Sequence, residues 1–310
     1  MLPRAAPEAP APCRAGASAV VRDNWNQTNR EESTMAFGQP KIEYKTNSQI
    51  LKMREAGLVL AEALDEAVAA ATVGTTTAEV DAVFAAVLER RGATSNFKGY
   101  HGFPATICAS VNHEVVHGFP SGYVLQDGDV LKIDGGAIVD GWHSDSARTV
   151  IVGQADPEDQ RLSDVTEEAM WRGIAALANA RFVGQIGEAI DDFVSAVPGK
   201  PLGILEDYVG HGIGSEMHQA PDVLNYRSGH RGARVKPGLC LAIEPMLVRG
   251  NIETRVLEDD WTVVTTDGSR ASQWEHTVAV HLGGIWVLSA HDGGVAGLAP
   301  FGVVPSPIQP

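Results

Sequence analysis

The chain is poor in cysteine. Cys13, Cys108 and Cys240 are its only three, 95 and 132 residues apart, which excludes both a CxxC pair and a disulfide framework and fits a reducing, cytoplasmic compartment. Basic residues are scarce too: Lys and Arg number 24 against 39 Asp and Glu, for a net charge of -15. With no basic run interleaved with aromatics, direct nucleic-acid binding is not expected, because an acidic surface repels phosphate. No apolar run approaches the ~20 residues needed to cross a bilayer, so no membrane role is expected. The first 34 residues, rich in Ala and Pro, lack the basic and continuous apolar regions of a signal peptide. Residues 1–40 therefore read as a disordered N-terminal extension. Met35 opens MAFGQP just before the first helical pattern and is favoured over Met1 as the working start.

What is present begins with the stretch Gly128 to Asp145, GDVLKIDGGAIVDGWHSD. Val130 to Ile133 is an apolar run with a β-branched residue at each end, entered through Asp127-Gly128, and reads as a strand. It delivers Asp134, passes a second turn signal at Asp140-Gly141 and returns to Asp145, which is a hairpin pattern. With a two-residue loop at Val139-Asp140 or Asp140-Gly141, residues 134 and 145 are directly opposed or diagonal, on one face. At an effective dielectric of 20, two unit charges 4 Å apart repel by about 4 kcal/mol. The pattern predicts a cation between them.

Helical spacing runs from a cap at Asn47 or Ser48 through Ile50, Met53, Leu60, Leu64 and Val68. A second helix opens with capping-box spacing at Thr76 and Glu79 and ends near Arg91-Gly92. An offset of 110 then maps Gly74, Val80, Asp81, Val83, Phe84 and Val87 onto Gly184, Ile190, Asp191, Phe193, Val194 and Val197. The same offset maps Gly128, Leu131, Ile133 and Asp134 onto Gly238, Leu241, Ile243 and Glu244. We read two copies of a helix-helix-strand unit, covering residues 46–150 and 157–280. The duplication puts Glu244 at the strand end equivalent to Asp134. Two halves that face each other would bring both acids to a central cleft.

Two further residues complete the donor set. His211 sits between two glycines in a glycine-rich bend, and His218 comes seven residues later. The final strands, Trp261 to Thr265 and Ser272 to Val280, are expected to pair across Asp267-Gly268, with Gln273, Glu275 and Thr277 on one face and Trp274, His276 and Val278 on the other. Glu275 is then an acid in an apolar-flanked strand, and it needs a partner. Asp134, Asp145, His211, Glu244 and Glu275 form an oxygen-rich set suited to two divalent cations such as Co, Mn, Fe or Zn, and hydrolysis is the natural reaction class.

The blocks SVNHEVVHGFP (110–120), KIDGGAIVDGWHSD (132–145), GHGIGSEMHQAP (210–221), AIEPM (242–246) and QWEHT (273–277) closely resemble those of type I methionine aminopeptidases. The likeness covers about residues 41–282. It implies the α+β pita-bread fold, with two pseudo-symmetric halves on a curved antiparallel sheet in one catalytic domain; residues 283–310 run past the likeness as a C-terminal tail. The implied activity is removal of the initiator methionine from nascent chains with a small second residue, encountered at the ribosome by a monomer. By resemblance, Asp145 and Glu275 bridge two metals, Asp134 completes one shell, and His211 with Glu244 completes the other. A bridging hydroxide attacks the first peptide bond, with Glu244 as proton acceptor. His218 bonds the scissile amide, and His117 contacts the substrate near its N-terminal residue or leaving amide. Tyr100, Phe103, Cys108 and Trp261 fall in the methionine side-chain pocket. Phe103 and Met217 stand where family members often carry Tyr and Phe.

Rival readings are weaker. Proline-specific aminopeptidases of this fold carry an additional N-terminal domain, whereas fewer than 50 residues precede the first helix here. Type II enzymes carry a helical insertion for which the 33-residue gap from His211 to Glu244 leaves no room. A catalytically dead binding module would not need all five donors and both histidines. For residues 283–310 a strand through Ile285 to Leu288 and then disorder is expected.

Overall fold

The structure, a computed structural model, describes residues 41–309. The expected disorder of residues 1–40 and the choice between Met1 and Met35 lie outside the described residues. Helix α1 (Asn47–Ala70) is followed by α2 (Thr77–Arg90), and α3 (Pro157–Leu177) by α4 (Gly184–Ala196). The first helices of the two pairs begin 110 residues apart, the second helices 107. Thr76 and Glu79 close the expected capping box on α2. On α1 the cap is Thr46, not Asn47 or Ser48: its hydroxyl accepts from the Gln49 N–H and the Gln49 side chain accepts from the Thr46 N–H. All three residues can cap. Only Thr46 sits where the backbone turns from extended into helical.

Each helix pair covers a sheet. In the first half, β1 (Ile107–Val111) and β3 (Trp142–Ile151) flank β2 (Val130–Val139), all antiparallel. In the second half, β4 (Gly210–Gly212), β5 (Gln219–Val223), β6 (Cys240–Ile243), β8 (His276–His281) and β9 (Gly284–Val287) form a five-stranded sheet in the order β9-β8-β6-β4-β5. Short β7 (Ala271–Gln273) precedes β8 and pairs with Met246–Val248. Strands β2 and β6 start 110 residues apart, so the duplication persists in the sheets. It persists in the cores as well. Val80 and Phe84 are buried in the first, and their equivalents Ile190 and Val194 in the second. Among the described residues no helix is long and apolar enough to cross a membrane.

Three further expectations need correction. Val263–Thr265 does not form a hairpin with the strand after Asp267-Gly268. It pairs instead with Thr254–Val256 and Glu114–Val116. In addition, the 272–280 run is two strands, interrupted at Trp274-Glu275. The tail contains the expected strand as β9, but the chain beyond β9 is structured rather than disordered. Helix α5 (Val295–Leu298) buries Leu298, and the chain end buries Ile308 beside Met53 and Cys240. The Arg54 guanidinium donates to the carbonyls of Leu288 at 2.7 Å and His291 at 2.8 Å, which ties the tail to α1.

Candidate functional site

The site grows from the turn between β2 and β3. Asp140 and Gly141 are its two central residues, with φ of 49 and 77. Two positive φ values make a turn whose twist matches that of the flanking strands. The resulting register sets Asp145 opposite Gly136 and Asp134 opposite Ala147. The two acids are therefore diagonal neighbours on one face. Glu244 directly follows β6, and Glu275 directly precedes β8. Because Ile243 pairs with His276, these two acids face each other across the second sheet.

Hydroxyl groups join the halves at this point. Ser146 donates to the Glu275 carbonyl at 2.6 Å, and Thr149 donates to the Gln273 carbonyl at 2.7 Å. The Thr277 hydroxyl accepts from the Asp145 N–H at 2.9 Å and donates to the Asp145 carbonyl at 2.8 Å. The Glu275 N–H donates to the Ala147 carbonyl at 3.0 Å. These bonds hold main chain rather than carboxylates. The acids are thus positioned independently of their charge.

All five expected donors are brought together. One ligand atom each from Asp145, His211 and Glu275 lies within 4.8 Å of the others, and His211 Nε2 is 3.5 Å from Glu244 Oε1. The Gln273 amide reaches both Asp134 at 3.3 Å and Glu244 at 3.4 Å, linking acids of the two halves. Burial pushes the Asp134 carboxyl up to about 7 against the pull of that amide. Burial, and then the neighbouring acids, push Asp145, Glu244 and Glu275 well above the usual carboxylate range. Asp134 Oδ1 and Glu275 Oε1 are buried with no donor from the protein. Lone pairs buried without a donor are costly unless a cation takes them up, so the donor set fits divalent metal.

His211 is prepared in the same sense. Its Nδ1 faces the Gly212 carbonyl at 3.0 Å, and since a carbonyl only accepts, Nδ1 carries the proton. The Nε2 lone pair is then free to ligate. Burial lowers the His211 pKa to about 4, keeping the imidazole neutral as ligation requires. His218 packs 4.3 Å from the His211 ring, and its Nδ1 lies 3.1 Å from the Tyr100 hydroxyl. Burial first, and then the surrounding histidines, hold it well below its ordinary value. His117, at φ 62, packs edge-on against Trp261.

The four expected pocket residues also fall here. Phe103 meets Trp261 at 5.1 Å edge-to-face, Tyr100 borders His218, and Cys108 pairs directly with Asp134 across β1 and β2. Burial, with the charges of Asp134 and Asp145, keeps the Cys108 thiol protonated. The sequence did not single out Phe119, which packs 5.2 Å from Phe103, or the tethering roles of Gln273 and Thr277. Period-2 alternation had placed Gln273 and Thr277 on the Glu275 face, and that was the available signal.

Residues 51–281 match the profile of metallopeptidase family M24. The chain is 44% identical over 247 residues to methionine aminopeptidase 1 of Mycobacterium tuberculosis, covering 78% of this chain and 93% of that protein. It is 39% identical to methionine aminopeptidase 1 of Bacillus subtilis, covering 79% and 98%. Among solved structures it is similar to the methionine aminopeptidase of Thermotoga maritima, with a TM-score of 0.78 and 36% identity, covering 81% of this chain and all of that one.

Proposed function

The chain belongs to metallopeptidase family M24, among the type I methionine aminopeptidases, and on that premise we propose which residues carry its reaction. The activity is removal of an N-terminal methionine. In our reading Asp134, Asp145, His211, Glu244 and Glu275 would together hold two divalent cations, Asp145 and Glu275 serving both, Asp134 the first, and His211 with Glu244 the second. The observation that carries this reading is the convergence of donors from both halves, two of them with buried oxygens that no protein donor reaches. Bound there, such cations would supply Lewis-acid polarisation of the scissile carbonyl and a lowered pKa for water.

The protein's own groups do the rest. Glu244 takes the proton of the attacking water and passes it to the leaving amine. Tyr100 and Nδ1 of His218 share a hydrogen bond of 3.1 Å; in the tautomer that our reading requires, the hydroxyl donates and the His218 proton is on Nε2, which donates to the scissile amide group. His117 contacts the substrate around its N-terminal residue or leaving amide. Phe103, Trp261, Tyr100 and Cys108 line the slot for the methionine side chain, where aromatic faces and edges suit a polarisable thioether. A small second residue on nascent chains is the expected substrate preference.

The test is methionine release from a Met-Ala-Ser peptide, with and without chelator, paired with a metal count. Chelator-sensitive release with two metals per chain supports the assignment. Absence of release from protein loaded with each of several divalent metals would favour a binding role instead. His218→Ala should retain its metals and slow turnover by about 10²- to 10³-fold. Full activity in that variant would remove the role given to His218.

A further inference from the structure

Lys45 and Glu43 lie in the segment before α1, outside every block that carries the family likeness and outside the donor set. Lys45 is nevertheless buried. Its ammonium has three hydrogens and three oxygen neighbours: Gln219 Oε1 at 2.9 Å, the Glu43 carbonyl at 3.1 Å and the Glu43 carboxylate at 3.3 Å. That carboxylate in turn accepts from the Ser215 N–H at 3.1 Å, the Ser215 hydroxyl at 2.8 Å and the Gln219 amide at 2.9 Å. The Gln219 side chain is held at both ends. Flipping it would set its NH₂ against the ammonium and its oxygen against the carboxylate.

Ser215, inside the short loop between β4 and β5, and Gln219, the first residue of β5, flank the part of that loop that delivers His218. The same loop packs onto the lysine stem at Gly214, where a Cβ would overlap Lys45 Cε and the Glu43 carboxylate. Lys45 is fixed at its own backbone, its N–H donating to the Gly238 carbonyl at 2.7 Å. Lys45 is buried while its partner Glu43 is half-buried, and such a pair contributes little net stability, because desolvation of the lysine offsets most of the attraction. What it does supply is a preferred loop conformation, since moving Gln219 or Glu43 away leaves the buried Lys45 ammonium short of partners.

We infer that Lys45 and Glu43 are positioning residues for the reaction: through Ser215 and Gln219 they set the imidazole of His218 against the substrate. The inference rests on the role given to His218 above. A displacement of about 1 Å in such a group costs up to about a hundredfold in rate, so Lys45→Met should lose about tenfold or more in kcat. KM should change by less than about twofold, because the slot residues stay in place.

The experiment is a double-mutant cycle in the full-length, metal-loaded chain: wild type, Lys45→Met, His218→Ala and the double variant, each with kcat, KM and metal content. Metal content should be unchanged throughout, and Lys45→Met should cost nothing further once His218 is absent. Equal losses from Lys45→Met in both backgrounds, or loss of metal, would overturn the positioning role. Full activity of His218→Ala would instead overturn the reading of His218 itself. Should Lys45→Met fail to fold, the paired variant Glu43→Gln with Lys45→Met removes both charges and is judged by the same criteria.

Discussion

Asp134→Asn in chelator-treated protein offers a test of the donor set that does not depend on turnover. Burial raises the Asp134 carboxyl from 3.8 to about 7, with the Gln273 amide pulling the other way. The folded state therefore keeps a proton that the unfolded chain gives up. The stability so contributed is fully present below about pH 3.8 and is lost as pH rises through about 7. At 1.36 kcal/mol per pH unit the total is about 4 kcal/mol, a large share of the 5–15 kcal/mol typical of a domain. The sequence pI of about 5.0 makes the lower end prone to precipitation. Urea unfolding from about pH 5.5 to about 8.5 captures roughly 2 kcal/mol of the total. Wild type should lose that amount relative to Asp134→Asn as pH rises, and divalent metal should remove the wild type's loss by taking up its ionised carboxylates. Parallel pH profiles for the two chelated proteins, or wild type gaining on the variant as pH rises, would refute the argument that burial without a cation dominates this acid.

Two other substitutions separate the tether from the scaffold. Thr277→Val deprives both the N–H and the carbonyl of Asp145 of their partner; leaving two buried polar groups unpaired should cost about 3 kcal/mol in urea unfolding and weaken metal binding in a competition titration. Thr76→Ala breaks the capping box of α2, remote from the donors, and should cost about 1 kcal/mol of stability with kcat unchanged in the peptide assay.

Much of the site was legible because it is built on strands. Period-2 alternation and one Asp-Gly turn suffice to put Asp134 and Asp145 on one face, and the 110-residue offset carries Glu244 to the matching strand end in the second half. What escaped notice is non-local. Nothing in the sequence near Val263 announces that it pairs with Val116, so the Asp267-Gly268 signal suggested a hairpin that does not form. Residues 289–309 are nearly uncharged and rich in Gly and Pro, a composition that reads as disorder. They are ordered because Arg54, on α1, collects their carbonyls and because Leu298 and Ile308 complete distant cores. Gln273 was visible on the right face, but only the packing of the halves reveals that its amide spans acids from both.

The division of labour between strands and loops has a consequence for how such a site can vary. The carboxylates stand on or directly beside paired strands whose main chains are stitched together by Ser146, Thr149 and Thr277. Their spacing is fixed by the pleat and by neutral hydrogen bonds, and does not depend on which acid carries a proton. The groups assigned to the substrate sit elsewhere: Tyr100 in a short 3-10 turn, His117 at a left-handed position, and His218 in the loop gripped by Lys45 and Glu43. Loop geometry can change without moving strand register, whereas a change among the stitching hydroxyls cannot spare the donors. Substitutions in the loops should therefore alter kcat and substrate preference at constant metal affinity, and substitutions among the hydroxyls should alter metal affinity first.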